Sequence, residues 1–300
     1  MPLISIIIPA YNSADTIIEA LESVAAQTVG DYETIVVDDA STDDTVAVVE
    51  RWVEREKAAP LRLRMVRLES NSGPAAARNR GIEAAQGPWI AFLDADDAWM
   101  PWRLELQLCI MAEHRTAAMV CGGTVSFEGA TDPAAPVDAR CRPLTLGEFA
   151  TGNPVATSTV LARREALVAV GGFDGQFMGP EDYDLWMRVA GRYPVLLADA
   201  PLARYRHRPG SLSLDDRRFL PQVLRVLDKA FAEGGALHGC PQLRRRALAN
   251  QYWNASWMAF SRGTRPAALA FLAKAFVRDP RVGGRRKLPV LWRYLFGKPE

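Results

Sequence analysis

The stretch Trp89-Ile90-Ala91-Phe92-Leu93-Asp94-Ala95-Asp96-Asp97 joins an apolar run to three carboxylates. Because residues 89–93 include no polar side chain, the run is typical of a strand that is buried on both faces. Like charges crowded at the end of such a strand are costly unless a cation neutralises them. Open α/β sheets also bind their ligands at the carboxyl ends of their strands. The stretch therefore predicts a central strand that ends at a ligand site.

A divalent ion is the cation that this acidic turn favours. Carboxylate oxygens at this spacing suit Mg²⁺ or Mn²⁺, which keep water sites that a substrate diphosphate can occupy. The alternative is a simple acidic turn or helix cap, in which Asp97 favours the dipole of a helix that begins near Pro101. One Asp-x-Asp does not decide between the two, so the rest of the chain must.

The residues before this stretch alternate between short β-branched runs and helical patterns. Strands are predicted at about 3–8, 33–37, 61–68 and from residue 89, the third near an edge, and helices at about 12–27, 41–56 and 74–85. This order predicts a mostly parallel, Rossmann-like sheet with helices on both faces. Polar residues follow the first, second and fourth strands, so we expect their ends to form one crevice.

The chain after Asp97 is less regular. A helix at about 102–114, a strand at 117–127, a loop at 128–143, a β-prone stretch at 155–161, a helix at 163–170 and a strand at 194–198 are predicted, followed by a basic loop at 205–213. Beyond Asp215 three amphipathic helices are predicted. We therefore expect a ligand-binding domain at 1–213 and a helical appendage at 214–300.

Composition excludes several classes of protein. The 300 residues carry a net charge of +1, whereas dedicated nucleic-acid binders are usually strongly basic. Four cysteines without a CxxC pair predict a reducing cytosol and no zinc site. No apolar run is long enough for a membrane span, and Leu3 to Ile8 lacks a basic leader, so we expect a strand there and not a signal peptide.

The tail at 281–300 is basic and interleaved with aliphatic and aromatic residues. Such a segment is able to lie on an anionic membrane surface, with about 1 kcal/mol from each basic residue near it. Peripheral contact with the inner face of a membrane is one interpretation. The other is a docked terminal helix with a solvated basic face.

Carboxylates recur at the ends of three predicted elements: Asp38 with Asp39, the turn at 94–97, and Glu181 with Asp182 and Asp184. The middle group could hold a metal, the first could accept hydrogen bonds from a base or ribose, and the third could contain a general base. Arg78 and Arg80 could pair with phosphates, or one of them could only tie its helix to the sheet through an aspartate. The combination indicates a nucleotide diphosphate as substrate.

Five ordered motifs resemble those of the family 2 glycosyltransferases. They are Ser5-Ile6-Ile7-Ile8-Pro9-Ala10-Tyr11-Asn12, Val36-Val37-Asp38-Asp39-Ala40-Ser41-Thr42-Asp43, Ala77-Arg78-Asn79-Arg80-Gly81, Phe92-Leu93-Asp94-Ala95-Asp96-Asp97 and Glu181-Asp182-Tyr183-Asp184-Leu185-Trp186. The resemblance covers residues 3 to about 213. It implies a GT-A-type fold that binds a nucleotide-diphospho-sugar and transfers the sugar with inversion.

The resemblance also implies roles for individual residues. The expected donor-binding residues are Pro9, Tyr11, Asn12, Asp39, Arg78, Asp94 and Arg208. The expected metal ligands are Asp96, Asp94 and His207, with Asp96 the most direct. Asp182 matches the catalytic base, and Glu181 lies beside it. Many family members have His at the position of Arg208, so the resemblance does not decide whether His207 or Arg208 contacts the diphosphate or metal.

The sequence therefore predicts an inverting, metal-dependent glycosyltransferase. We expect a UDP-sugar donor, Mn²⁺ or Mg²⁺, and a glycan or lipid-linked acceptor in bacterial polysaccharide or glycoconjugate assembly. A nucleotide-sugar binding protein without turnover is one alternative. A sugar-phosphate nucleotidyltransferase is another, but it needs a Gly-rich, basic loop after the first strand, and residues 9–15 do not form one.

Overall fold

The computed structural model describes residues 3–55, 62–127, 133–136, 138, 140–207 and 215–297. The chain forms two compact units, the first made of residues 1–144, 155–175 and 192–207, and the second of residues 145–154, 176–191 and 208–300. The boundary at residue 213 stays a prediction. The compact units divide the chain differently, because two internal segments group with the C-terminal helices.

The first unit is built on one mixed sheet. Its described strands are β1 (Ile4–Ala10), β2 (Tyr32–Asp38), β3 (Arg62–Arg67), β4 (Trp89–Phe92), β5 (Ala98–Trp99), β6 (Met119–Ser126), β7 (Cys141–Pro143), β8 (Leu161–Arg163) and β9 (Val195–Tyr205). They lie in the order β3-β2-β1-β4-β8-β6-β9-β5, with β7 beside β9. The predicted edge position of β3 is confirmed.

The half of the sheet around β1 is parallel, as the sequence predicts. β1 pairs in parallel with β2 and β4, and β2 pairs in parallel with β3. The helices of this unit are α1 (Ile17–Ala25), α2 (Thr45–Arg55), α3 (Pro74–Ala84), α4 (Arg103–Glu113) and α6 (Arg164–Ala169). β1 is apolar apart from Ser5, whose hydroxyl donates to Glu33, because the strand is buried on both faces, and Ile6, Ile7 and Ile8 are inaccessible to solvent.

The other half of the sheet departs from the parallel pattern. β8 runs antiparallel to both β4 and β6. The β-prone stretch at 155–161 is not a single strand, since Thr157–Thr159 forms a short 3-10 turn and β8 begins only at Leu161. The buried side chain of Gln107 bonds the carbonyl of Thr159, and that of Arg103 bonds the carbonyl of Val160. These contacts satisfy backbone groups that a strand would have paired.

The second unit is helical over its described residues. Its helices are α5 (Leu146–Thr151), α7 (Glu181–Ala190), α8 (Asp216–Phe231), α9 (Pro241–Ser261), α10 (Arg265–Arg278) and α11 (Lys287–Phe296). α8, α9 and α10 lie where the sequence predicts three amphipathic helices. α8 has a strongly one-sided apolar face, whereas α9 has no net apolar side, so the amphipathic prediction is wrong for α9. No helix among the described residues is both long and apolar enough to cross a bilayer.

Candidate active site

The turn that follows β4 presents its carboxylates in two different environments. The side chain of Asp97 is buried, whereas those of Asp94 and Asp96 are partly exposed. The backbone N–H of Asp97 donates to the carbonyl of Asp94 at 3.0 Å, which closes a tight turn. Of the three carboxylates, Asp94 and Asp96 are therefore the two that can meet a ligand.

Ser158 organises this turn. Its hydroxyl donates to Oδ2 of Asp97 at 2.6 Å and accepts the backbone N–H of Asp94 at 3.1 Å. Its carbonyl accepts the indole N–H of Trp99 at 2.9 Å. Sequence reasoning missed this residue. The signal was the run Thr157-Ser158-Thr159, three hydroxyl residues within an apolar stretch.

Asp97 holds the turn and does not face a ligand. Its Oδ1 accepts the backbone N–H of Arg206 at 3.0 Å. Burial, together with the neighbouring charge of Asp94, raises the pKa of Asp97 to about 7, although the hydrogen bonds from Ser158 and Arg206 oppose the rise. The alternative of a helix cap is wrong for Asp97, because its carboxylate bonds other segments and not the start of α4, whose N-cap is Trp102.

Arg78 ties α3 to the acidic turn. Its Nη2 lies 2.7 Å from Oδ1 of Asp94, and its guanidinium is buried, 5.4 Å from the ring centre of Phe173. One of the two arginines was predicted to tie its helix to the sheet through an aspartate, and Arg78 makes this contact. The other arginine, Arg80, pairs instead with Glu83 on the exposed side of α3.

The segment that carries the predicted His207 reaches the same turn through Arg206. The Nε of Arg206 donates to the carbonyl of Asp96 at 3.0 Å, and its guanidinium pairs with Glu19 and covers the ring of Phe127 at 3.9 Å. His207 is exposed and contacts Tyr205 edge to face, with 5.2 Å between ring centres. Arg206 is a residue that sequence reasoning missed. The predicted Arg208 lies outside the described residues.

The residues that are predicted to bind the nucleoside lie in two interlocked turns, one after β1 and one after β2. The backbone N–H of Asn12 donates to Oγ of Ser41 at 3.0 Å, and its Oδ1 accepts the backbone N–H of Thr42 at 2.8 Å. Asn12 and Ala40 adopt φ of 48° and 59°, values that are uncommon outside glycine and cluster at functional sites.

The side chains before and after Asn12 border the same turns. Tyr11 is 45% exposed, so its ring is accessible to a ligand, and Pro9 is half-buried.

Asp39 follows β2 and is largely buried. Its Oδ1 accepts the backbone N–H of Ser72 and its Oδ2 that of Gly73, both at 2.8 Å, directly before α3 begins at Pro74. These bonds fix the loop that leads to Arg78. Each carboxylate oxygen has a second lone-pair site, so the arrangement leaves Asp39 able to accept from a ligand as well.

The third acidic group opens α7 in the second unit. Asp182 is half-buried, and its Oδ2 accepts the side-chain amide of Asn153 at 2.9 Å. Glu181 is buried, and its Oε2 accepts the backbone N–H of Gly179 at 2.9 Å. Glu181 thus braces the chain before the helix, whereas Asp182 keeps an accessible carboxylate.

Asp184 is the structural member of this group. It is buried and paired with Arg188 at 2.6 Å and with Lys229 at 2.9 Å. The pairing joins α7 to α8. Sequence alone could not separate Asp184 from Asp182, since both lie in the first turn of α7.

The donors at the turn after β4 fit a divalent ion. Asp94 and Asp96 offer hard carboxylate oxygens, and Mg²⁺ typically takes one or two protein carboxylates and completes its shell with water and phosphate oxygens. Among the described residues, no group of three or more His, Cys, Asp or Glu side chains is arranged as a metal cage. Asp94 and Asp96 are the residues at this turn that could hold such an ion.

The chain matches two models of known families. Residues 5–170, more than half of the chain, match the glycosyl transferase family 2 model, and residues 139–230 match the glycosyltransferase like family 2 model. TuaG of Bacillus subtilis (strain 168), named as a teichuronic acid biosynthesis glycosyltransferase, is 40% identical over 130 residues, or 43% of this chain and 50% of TuaG.

A second relative covers more of the chain. The amylovoran biosynthesis glycosyltransferase AmsB of Erwinia amylovora is 30% identical over 210 residues, or 67% of this chain and 68% of AmsB. The chain thus spans about half the length of TuaG and about two thirds of AmsB.

Solved structures share the fold. S. aureus TarS 1-349, solved in complex with UDP-GlcNAc, aligns with a TM-score of 0.62 at 20% identity over 94% of this chain and 91% of that one. The mannosyltransferase PcManGT from Pyrobaculum calidifontis, solved with GDP-Man and Mn²⁺, aligns with a TM-score of 0.65 at 25% identity over 97% and 78%. The predicted GT-A-type fold is confirmed, and the chain belongs to glycosyltransferase family 2.

Proposed function

We propose that this protein is an inverting, metal-dependent glycosyltransferase that moves a sugar from a nucleotide-diphosphate donor to a hydroxyl acceptor. The observation that carries the proposal is the turn after β4. It keeps Asp94 and Asp96 accessible and holds them in place through Ser158 and Arg78. Family membership supports the reaction class.

The donor that we propose is a UDP-sugar. The interlocked turns after β1 and β2 bring Tyr11, Asn12 and Asp39 to the carboxyl ends of neighbouring parallel strands, where such sheets bind ligands. A carboxylate is a good acceptor for a base imide or for ribose hydroxyls. The complexes of TarS with UDP-GlcNAc and of PcManGT with GDP-Man support a nucleotide sugar and leave the base to experiment.

Asp94 and Asp96 would hold the diphosphate of the donor through Mn²⁺ or Mg²⁺. His207 and Arg208 are further candidates to contact the diphosphate or the metal. Such an ion supplies Lewis-acid stabilisation of the charge on the departing diphosphate. PcManGT, which was solved with Mn²⁺, supports this assignment. Arg78, already paired with Asp94, would fix the carboxylate and not act as an independent phosphate ligand.

Asp182 is the proposed general base. It would take the proton of the acceptor hydroxyl as that oxygen attacks the anomeric carbon from the side opposite the leaving group, which inverts the configuration. The amide of Asn153 donates to Oδ2 of Asp182 and orients the carboxylate. Glu181, which bonds the backbone at Gly179, would position the start of α7 and take no proton itself.

The acceptor that we propose is a glycan or lipid-linked sugar in bacterial polysaccharide or glycoconjugate assembly. The names of TuaG and AmsB, which refer to teichuronic acid and amylovoran biosynthesis, support this choice. We place the reaction in the cytoplasm, because the four cysteines form no CxxC pair and no disulfide-dense pattern.

A donor panel tests the proposal. Nucleotide sugars that differ in base and sugar would be screened for a rise in melting temperature with and without Mn²⁺, since a ligand of the folded state raises it. We expect one UDP-sugar to raise the temperature most, and only with metal. The selected donor would then be used in donor hydrolysis and transfer assays with Mn²⁺ or with a chelator.

Three outcomes of these assays are informative. Transfer that stops in chelator and returns with Mn²⁺ supports the proposal. Donor binding without hydrolysis or transfer to any acceptor would indicate a binding protein without turnover, and transfer that persists in chelator would reject the metal.

A further inference from the structure

The segment 281–297 is the most basic part of the described second unit. It carries five basic side chains and no acidic one, although the whole chain has a net charge of only +1. The basic residues are Arg281, Arg285, Arg286, Lys287 and Arg293. The segment thus concentrates positive charge on one short stretch of surface.

One face of α11 is anchored to the second unit. Tyr294 is buried, its ring stacks on that of Phe260 with 4.5 Å between centres, and its hydroxyl lies 3.2 Å from that of Ser256. Val290 and Leu291 pack against the same cluster. The sequence alternative of a docked terminal helix therefore holds for this face.

The opposite face of α11 is apolar and exposed. Leu288 is 77% exposed, Trp292 65% and Phe296 70%, and Leu295 is exposed beside them. At 100° per residue these side chains fall on one stripe of the helix, turned away from Tyr294. A docked helix with a solvated face would present polar residues there. An apolar patch rimmed by charge indicates a binding surface.

We propose that this α11 face, with the flanking basic residues, binds the surface of an anionic phospholipid membrane. Trp and Phe side chains on one face and Arg and Lys beside them are the composition of helices that lie in the interface plane. The apolar side chains would enter the boundary between headgroups and acyl chains, while the guanidinium groups stay at the anionic headgroups. Complementary charge selects a lipid surface as the partner.

Vesicle flotation tests the proposal with the full chain. The vesicles would be phosphatidylcholine alone or phosphatidylcholine with about one third phosphatidylglycerol. We expect the protein to float with the anionic vesicles, to stay in the soluble fraction with the neutral ones, and to lose binding as salt is raised, because salt screens exposed charges. Recovery of the wild-type protein in the soluble fraction under all conditions would overturn the proposal.

Two variants and their controls locate the surface. Trp292→Ser with Phe296→Ser should weaken partitioning by roughly a hundredfold, whereas Trp257→Ser, which changes a Trp on α9 that is 51% exposed, should not.

A second pair of variants tests the contribution of the basic residues. Arg285→Gln with Arg286→Gln should weaken partitioning by about 30-fold, and Arg51→Gln with Arg55→Gln, an equal charge change on exposed α2 residues, should leave it unchanged.

The competing occupant of this face is a second copy of the chain. Sedimentation velocity would be run on the wild type and on the Trp292 and Phe296 double variant. A wild-type dimer that becomes monomeric in the variant, without flotation of either, would assign the face to self-association and overturn the proposal. Flotation equal to wild type for a folded double variant, with the wild-type melting temperature, would also overturn it. Neither result depends on the proposed transfer reaction.

Discussion

The acidic turn after β4 and the acidic first turn of α7 contain the same residue types. They differ in the groups that hold a buried carboxylate. In the first, the buried carboxylate of Asp97 is held by neutral donors, the Ser158 hydroxyl and a backbone N–H. In the second, the buried carboxylate of Asp184 is held by the cations Arg188 and Lys229. Two cations thus compensate the buried Asp184, whereas the turn after β4 sets Arg78, which pairs with Asp94, against three carboxylates.

This difference separates two kinds of function. A turn with three carboxylates favours a bound cation, as a divalent metal would supply. In the first turn of α7 the buried Asp184 pairs with cations and the buried Glu181 bonds the backbone of Gly179. This leaves Asp182 as the accessible carboxylate, which suits a proton acceptor. Substituting each carboxylate in turn distinguishes a metal ligand from a buried structural group.

Asp96→Asn should have the largest effect. Removing the charge at the proposed metal ligand should lower kcat for transfer by about a thousandfold, because the departing diphosphate loses its electrostatic stabilisation. Steady-state transfer at several Mn²⁺ concentrations measures this. The melting temperature without ligand serves as the folding control. Unchanged kcat with wild-type metal dependence would remove Asp96 from the site.

Asp184→Asn should act on stability and not on chemistry. It leaves Arg188 and Lys229 without their buried carboxylate, so the free energy of unfolding should fall by about 3 kcal/mol. Urea denaturation checks this value. The kcat per folded molecule should stay near that of the wild type, and a loss of kcat without a loss of stability would contradict the structural assignment of Asp184.

Glu33 is a buried carboxylate outside both the turn after β4 and the first turn of α7, so Glu33→Gln measures what such a group contributes to stability. Burial opposes its ionisation, but donors from Ser5, Gln86 and Arg64 outweigh burial and hold the pKa of Glu33 below its ordinary value. The substitution should therefore cost about 2 kcal/mol of unfolding free energy at neutral pH.

The pH dependence of that cost has a definite sign. A lowered pKa in the folded state gives stability that is present above the unfolded pKa of about 4.3 and is lost as the pH falls through the folded pKa. The gap between wild type and Glu33→Gln should accordingly narrow in acid, and a gap that widened there would contradict the assigned contacts. Urea denaturation across the acid range measures this gap.

Ser158→Ala should have the smallest effect. It removes the hydroxyl that joins Asp97 to the backbone of Asp94, so the turn should hold metal less well, with an apparent Mn²⁺ affinity about tenfold weaker. Titration of transfer activity with Mn²⁺ measures the change. Thr157→Ala, at the neighbouring buried hydroxyl, is the matched control and should leave the Mn²⁺ affinity unchanged.

The regular half of the fold could be predicted because its signals are local. β1 and β4 are apolar apart from Ser5, β2 contains the apolar run at 35–37, and α1 and α2 each have a clear helical periodicity. β9 could not be predicted at full length. Its eleven residues include Asp199 and Pro201, which indicate a strand end in sequence, yet pairing with several partner strands carries the strand past them.

The candidate site was predictable where a residue type itself implies chemistry. Asp96 and Asp182 stood out as carboxylates in recurring positions. Ser158 and Arg206 did not, because their importance arises from hydrogen bonds to a turn more than fifty residues away in sequence. Sequence also could not tell which of the clustered carboxylates would be buried, since that depends on contacts from distant segments.

The most direct test of the account is the comparison of Asp182→Asn with wild type under saturating donor and Mn²⁺. We predict that donor binding, measured by calorimetry, is unchanged, while kcat for transfer falls by about a hundredfold or more. Transfer by Asp182→Asn at the wild-type rate would contradict the assignment of the general base.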